Sequence, residues 1–200
     1  MFNPFWEHGI IRRAIDRNKI RVSAIDIRNF AKGKHRVTDD RPYGGGCGMV
    51  MKPEPLAAAI RAATEKAPLS KKILLTPQGR RFDSSVAHEL SSSDGLIFIC
   101  GRYEGVDERI CLDFIDDEIS IGDYVLTGGE LAAMVIIDAV TRLIPGVLGG
   151  EESAEQDSFS GSVLEYAQYT RPRTFKDMMF PKFCCRETTK KLRTGGLKHR

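Results

Sequence analysis

The stretch ISIGDYVLTGGE, residues 119–130, is a short β-branched run followed by a glycine-bearing loop and the start of a helical pattern. The same order occurs twice upstream, where KKILL (71–75) runs into TPQGRRF and GLIFIC (95–100) runs into GRYEGVDER. Helical patterns at 84–92 and 107–114 separate the three runs. Because strands joined by crossover helices are parallel, the sequence predicts an α/β fold with a mostly parallel sheet and helices on both faces.

The three glycine-bearing loops are expected at one edge of this sheet. Parallel strands place their carboxyl ends together, and open α/β sheets bind ligands there. The loops carry no phosphate-binding signature, since YGGGCG (43–48) follows no strand and opens no helix. We therefore expect a ligand held by main-chain groups, with Tyr124 or Leu126 against a flat part of it. The alternative for any single loop is that its glycines only make a tight turn.

Apolar periodicity defines further elements along the chain. The pattern predicts a strand over IRVSAIDI, residues 20–27, because the run alternates and is β-branched. Residues 131–144 are apolar nearly all round, which predicts a buried helix. Helices are also predicted over 9–18 and 53–67, an irregular glycine loop over 41–49, and a mobile acidic surface loop over 150–162.

Bulk properties limit the class of protein. The 200 residues have room for one α/β domain, or one domain with a small appendage. No apolar run is long enough to span a membrane and no secretory signal is visible, so a cytoplasmic protein is expected. Five cysteines, an odd number without CxxC spacing, fit reduced thiols, and no metal site is expected. The net charge of +3 alone does not argue for nucleic acid, and the basic clusters have solvated surface as their alternative.

Several long motifs resemble one family in the same order. They are KHRVTDDRPYGGGCGMVMKPEP (34–55), TPQGRRF (76–82), CGRYEGVDER (100–109), ISIGDYVLTGGELAAMVIIDAVTRLIPGVLG (119–149), SAEQDSF (153–159) and YTRP (169–172). Together they resemble the bacterial tRNA (guanine-N1) methyltransferases over nearly all of residues 1–175. The resemblance implies a deep trefoil knot of the SPOUT type, S-adenosylmethionine as methyl donor, tRNA as substrate, and a homodimer whose active site lies between the subunits. Knots are rare exceptions to chain topology, so periodicity does not predict this one.

The resemblance also implies roles for individual residues. Asp157 matches a general base that accepts the proton of guanine N1, and Arg142 matches a cation that stabilises the charge developing at O6. Glu104 and Glu165 match positions near the ligand. The positions implied to bind S-adenosylmethionine are Leu74, Pro77, Gly101, Tyr103, Ile121, Gly122, Asp123, Tyr124, Val125, Leu126, Gly128 and Gly129.

The resemblance implies three segments: a methyltransferase domain over 1–150, a loop carrying the base over 151–175, and an aberrant tail over 176–200. The family begins with a strand that this chain lacks, so Met1 is expected to be an internal methionine. Back-translating residues 180–199 with suitable synonymous codons and reading from the third base of each codon yields PEVLLSGDHKKIADWRLEA, which is similar to the family's own continuation. We therefore expect a frameshift near 173–178 that replaces the tRNA-binding domain; the alternative is a divergent but authentic tail. The alternative function is an S-adenosylmethionine-binding protein with little tRNA methylation.

Overall fold

A computed structural model describes residues 2–148, 169–176 and 178–179 of the chain. The chain divides into two compact units, Met1–Ala154 and Glu155–Arg200. The described part of the second unit is an antiparallel pair, β6 (Thr174–Phe175) with β7 (Met178–Met179). The predicted acidic loop at 150–162 and nearly all of the predicted tail at 176–200 lie outside the described residues.

The first unit alternates helices and strands. Its elements are α1 (Asn3–Trp6), α2 (Gly9–Asp16), a 3-10 helix (Ile27–Phe30), β1 (Asp39–Asp40), β2 (Val50–Met51), α3 (Pro53–Lys66), β3 (Lys71–Arg81), α4 (Ser84–Ser91), β4 (Leu96–Cys100), α5 (Glu108–Phe114), β5 (Asp117–Ser120) and α6 (Glu130–Leu143). The predicted helices are thus confirmed, and the helix starts have local causes. Asp83 accepts a hydrogen bond from the N–H of Val86 in the first turn of α4, Asp107 accepts one from the N–H of Arg109 in the first turn of α5, and Pro53 begins α3.

Strand β3 is the centre of a three-stranded sheet with the order β4-β3-β5. Leu74 pairs with Ile99 of β4 and with Glu118 of β5, and both pairings are parallel. The parallel sheet predicted from the crossover helices is therefore confirmed. All three strands end at the same edge, which brings the loops that follow them to one side of the unit.

Successive residues of β3 point to opposite faces of the sheet, and each face carries its own core. Ile73 and Leu75 belong to a cluster with residues of α4 and α6. Leu74 belongs to a second cluster with Ile99 and with residues of α3 and α5. The expectation of helices on both faces is confirmed by this division.

Strand β3 is longer than its apolar run predicts. The predicted strand ends at residue 75, whereas the observed strand continues to Arg81. The register against β5 shifts between Leu75 and Arg80, so residues 76–79 form a bulge. Gly79 lies so close to the backbone of Glu118 and Ile119 that a side chain there would collide with it. The TPQG sequence therefore makes a bulge within the strand rather than a loop after it.

The strand predicted over 20–27 is wrong. Residues 20–26 are not part of any strand among the described residues, and a 3-10 helix begins at Ile27. They line a cavity of about 1190 Å³ together with the residues of β4 and with Arg102, Tyr103 and Glu130. An alternating pattern sets an extended backbone, but a strand also needs a neighbour within hydrogen-bonding distance. Among the described residues, 20–26 have no such neighbour in any sheet.

Helix α6 is buried on one side only, which corrects the prediction of a fully buried helix. Ala133, Ile136 and Val140 pack in the core. Leu131 and Val135 lie one turn apart, and each is 49% exposed. None of the helices that the structure describes is both long and apolar enough to cross a membrane.

Candidate ligand-binding site

The loops after β4 and β5 meet at the carboxyl edge of the sheet. The backbone N–H of Gly129 donates to the carbonyl of Gly101 over 2.9 Å. Arg102 and Gly128 form an antiparallel bridge next to this bond. Two of the three predicted ligand loops are therefore in direct main-chain contact.

Glycine is required at this crossing because the backbones approach so closely. A side-chain carbon at Gly129 would lie 2.8 Å from the Cα atom of Cys100. A side-chain carbon at Gly128 would collide with the carboxylate of Glu130. The two glycines of the LTGGE sequence thus let the loop after β5 lie directly on the loop after β4. They therefore do more than make a tight turn.

The loop from Ile121 to Leu126 is shaped by its first residues. The Ser120 hydroxyl accepts from the N–H of Gly122 over 3.2 Å and lies 3.1 Å from its carbonyl oxygen. Gly122 has a φ of 152°, and the Tyr124 ring lies where its side chain would be. Tyr124 itself remains 54% exposed. The loop therefore presents an aromatic ring at the surface without burying it.

Tyr103 is the exposed aromatic residue of the loop after β4, as Tyr124 is of the loop after β5. Its backbone has a φ of 61°, a left-handed conformation that is uncommon for tyrosine, and its side chain is more than half exposed. Such a conformation persists only where the surroundings enforce it, and the bridge between Arg102 and Gly128 lies immediately beside it.

An ion pair joins the same two loops. The Nε and Nη2 atoms of Arg102 donate to Glu130 Oε1 over 2.9 and 2.6 Å. Burial, reinforced by the charge of Glu130, raises the pKa of the nearby Cys100 thiol to about 12. Cys100 is therefore protonated at neutral pH, which argues against a role as a nucleophile.

Glu104, in the loop after β4, contacts the glycine-rich segment at 41–49. Its N–H donates to the carbonyl of Met49 over 3.0 Å, and its side chain fills the space left by the missing side chain of Gly48. The segment at 41–49 contains no helix or strand, as its composition predicts. The structure thus adds this glycine loop to the surroundings of the predicted site.

The segment that follows the first predicted strand offers fewer side chains to a ligand than the sequence predicts. Pro77 is exposed in the bulge of β3. Leu74 is only 4% exposed, and its side chain packs against α3 and α5. Its side chain is therefore not available to a ligand, because a strand residue paired on both sides points into one of the two cores.

The residues predicted for catalysis are described only in part. Arg142 is half-buried in the last turn of α6, at the opposite end of that helix from Glu130. Asp157 and Glu165 lie outside the described residues. Within 2–148 and the described residues after 168, no group of three His, Cys, Asp or Glu side chains is placed to hold a metal ion.

The comparisons with known proteins agree on one family. A family model described as tRNA (Guanine-1)-methyltransferase TrmD matches residues 1–198. A tRNA (guanine-N(1)-)-methyltransferase of Desulfatibacillum aliphaticivorans is 56% identical over 181 residues, which are 90% of this chain and 69% of that protein. The protein of the same name from Geobacter sulfurreducens is 58% identical over 181 residues, 90% of this chain and 74% of that one.

A solved structure has the same fold. The crystal structure of tRNA (m1G37) methyltransferase from Aquifex aeolicus matches with a TM-score of 0.79 and 38% sequence identity. The match covers 93% of this chain and 78% of that chain. Both the sequence and the fold place this chain in the tRNA (guanine-1)-methyltransferase family, and it belongs to that family.

Proposed function

We propose that this chain transfers a methyl group from S-adenosylmethionine to N1 of the guanosine 3′ of the anticodon, position 37 of tRNA, in the cytoplasm. The observation that carries the proposal is the direct contact between the glycine loops after β4 and β5, in a chain of the tRNA (guanine-1)-methyltransferase family. When bound, S-adenosylmethionine supplies a methyl group activated by its sulfonium. The deep trefoil knot that the resemblance implies stays a prediction.

The two loops suit a neutral, flat group such as the adenosyl part of that donor. Within the described residues the N–H groups of Val125 and Leu126 make no hydrogen bond, so both are available to a ligand. Tyr103 and Tyr124, one in each of the two loops, have exposed rings. A pocket with apolar and aromatic surface and a few main-chain donors is typical of cofactor sites. The residues present therefore fit the group.

The chemistry requires a base, because guanine N1 carries a proton at neutral pH. We assign the base to Asp157, whose carboxylate accepts the N1 proton as the new N1–carbon bond forms and the carbon–sulfur bond breaks. We assign to Arg142 the stabilisation of negative charge at O6, since a guanidinium remains protonated and donates in a fixed geometry. Glu104 and Glu165 are proposed to lie near the ligand.

The length of α6 supports an active site shared between two subunits. Arg142 follows Glu130 by twelve residues, so along the helix axis the two Cα atoms are about 18 Å apart. This exceeds the reach of an arginine side chain from the far end of the helix to the loops at its start. If Arg142 and the glycine loops act on one substrate, they must come from different subunits. The exposed Leu131 and Val135 provide apolar surface for a homodimer.

The assay uses the purified chain, S-adenosylmethionine, and tRNA transcripts with either guanosine or adenosine at position 37. Nucleoside analysis by mass spectrometry should show 1-methylguanosine only with the first transcript. Asp157→Asn should lower the rate by roughly 10²–10⁴ while leaving the affinity for S-adenosylmethionine nearly unchanged. Glu155→Gln, in the same acidic segment, is the control and should retain the rate. If no methylated guanosine forms with the first transcript, the proposed function is wrong.

A further inference from the structure

The ion pair between Arg102 and Glu130 is the charged contact at the crossing of the two ligand loops. Both donors of the guanidinium edge, Nε and Nη2, approach the same carboxylate oxygen. The side chain of Glu130 is only 18% exposed, and that of Arg102 is about half exposed. A charge-assisted pair that is partly shielded from water is stronger than an ordinary surface pair.

The sequence around the pair leaves room for it. Gly128 lacks the side-chain carbon that would collide with Glu130 and contact the Cγ atom of Arg102 at 3.2 Å. Arg102 precedes Tyr103, whose left-handed backbone orients an exposed ring beside the crossing. Glu130 follows Gly129, whose N–H bonds to Gly101. The two ends of the ion pair are therefore each one residue away from a residue predicted to contact the ligand.

We infer that the Arg102–Glu130 pair positions the ligand loops, by fixing the spacing between residues 101–106 and 121–129 at the value that S-adenosylmethionine requires. Neither side chain is placed in contact with the ligand or the reacting atoms. They act through Tyr103 and through the backbone at Gly128 and Gly129. This inference rests on the proposed function, because it concerns the affinity of the same site for the same donor.

A purely structural role for Glu130 makes a different prediction. As the first residue of α6, its carboxylate also interacts favourably with the helix dipole. That interaction stabilises α6 whether or not Arg102 is present, and it does not depend on the loops. A change at Arg102 therefore separates the two roles, since it breaks the ion pair and leaves the carboxylate at the helix start.

The test compares Arg102→Gln, Glu130→Gln and the double variant with the unchanged chain. The affinity for S-adenosylmethionine is measured by calorimetry and the melting temperature without ligand is measured in parallel. Each single variant should raise the dissociation constant roughly tenfold, the loss expected for one charge-assisted hydrogen-bonded pair. The double variant should bind no more weakly than either single variant. In steady-state kinetics, the KM for S-adenosylmethionine should rise while the KM for tRNA stays constant.

The control is Arg109→Gln, which removes the ion pair between Arg109 and Asp107 at the start of α5. It should leave the dissociation constant unchanged. If the unchanged chain does not bind S-adenosylmethionine, the proposed function itself fails. If it binds and the Arg102 and Glu130 variants bind equally well, only this inference is overturned. A lower melting temperature with an unchanged dissociation constant would likewise overturn it, because the pair would then be structural.

Discussion

Two segments of this chain are both predicted to be strands, and only one of them forms a strand. Residues 116–121 and residues 20–27 are both short and carry alternating β-branched residues, Ile119 and Ile121 in the first and Ile20 and Val22 in the second. The first forms β5, whose register with β3 is fixed and whose Ile119 is buried in the core. The second is not part of a strand and borders a cavity. Local pattern therefore determines an extended backbone, whereas a paired neighbour determines a strand.

The largest expected effect comes from making the same substitution, isoleucine to alanine, in both segments. Ile119→Ala should lower the free energy of unfolding by about 2–5 kcal/mol, because it removes a fully buried side chain from the packed core. Ile25→Ala should cost less than about 1 kcal/mol, because the side chain is only half-buried beside the cavity. Denaturant titrations measure both values. Equal losses would show that residues 20–26 pack as firmly as β5 does.

A second, smaller effect is expected at the loop crossing. Gly129→Ala should lower the free energy of unfolding by about 1–3 kcal/mol, because its new carbon would be forced against the backbone of Cys100. Gly101→Ala is the matched control, since a side-chain carbon there lies at an ordinary 3.6 Å from Val106. It should change the stability by less than about 1 kcal/mol. Thermal unfolding of both variants decides whether the crossing is as tight as described.

The smallest expected change concerns the charges that anchor β5 to β3. Burial alone would raise the pKa of Asp117, but hydrogen bonds from Arg80 and Lys71 outweigh it and hold the pKa below its usual value. Asp117→Asn should therefore cost about 1–2 kcal/mol at neutral pH. The group with a lowered pKa stabilises the fold above its unfolded pKa of about 3.9, and that stabilisation is lost as the pH falls through the folded pKa.

The free energy of unfolding, measured from pH 7 to pH 2, checks the direction of this pH dependence. The difference between the unchanged chain and Asp117→Asn should shrink as the solution is acidified. Lys72→Gln, which removes a pair to the more exposed Asp116, should have a smaller effect at neutral pH. A difference that grows on acidification would contradict the assigned cause.

The sequence predicts most of the fold because the signals are local. The runs at 71–75 and 95–100 and the helices between them follow from periodicity and capping, and parallel order follows from the helices. The continuation of β3 to Arg81 does not, because TPQG has the composition of a turn and only the pairing of Arg80 with Ile119 makes it part of the strand.

In the candidate site too, the sequence predicts features that have a local signal and does not predict contacts between distant residues. The convergence of the loops at 101–106 and 121–129 is predicted by strand order alone. The sequence does not predict the Arg102–Glu130 pair, because its members are 28 residues apart and each resembles a solvated surface charge. Its only local signal is Gly128, which also suits an ordinary turn. The resemblance implies that Leu74 contacts the ligand, whereas its side chain is buried in a strand that is paired on both sides.

The central claim is that the ligand binds on the glycine loops at 101–106 and 121–129 rather than against residues 20–26, which line the same cavity as Arg102, Tyr103 and Glu130. Hydrogen exchange followed by mass spectrometry, with and without the demethylated product S-adenosylhomocysteine, tests it most directly. We predict that the product slows exchange within 101–106 and 121–129, and that exchange within 20–26 is unchanged. Protection confined to 20–26 and β4, with no change at the crossing, would contradict the account.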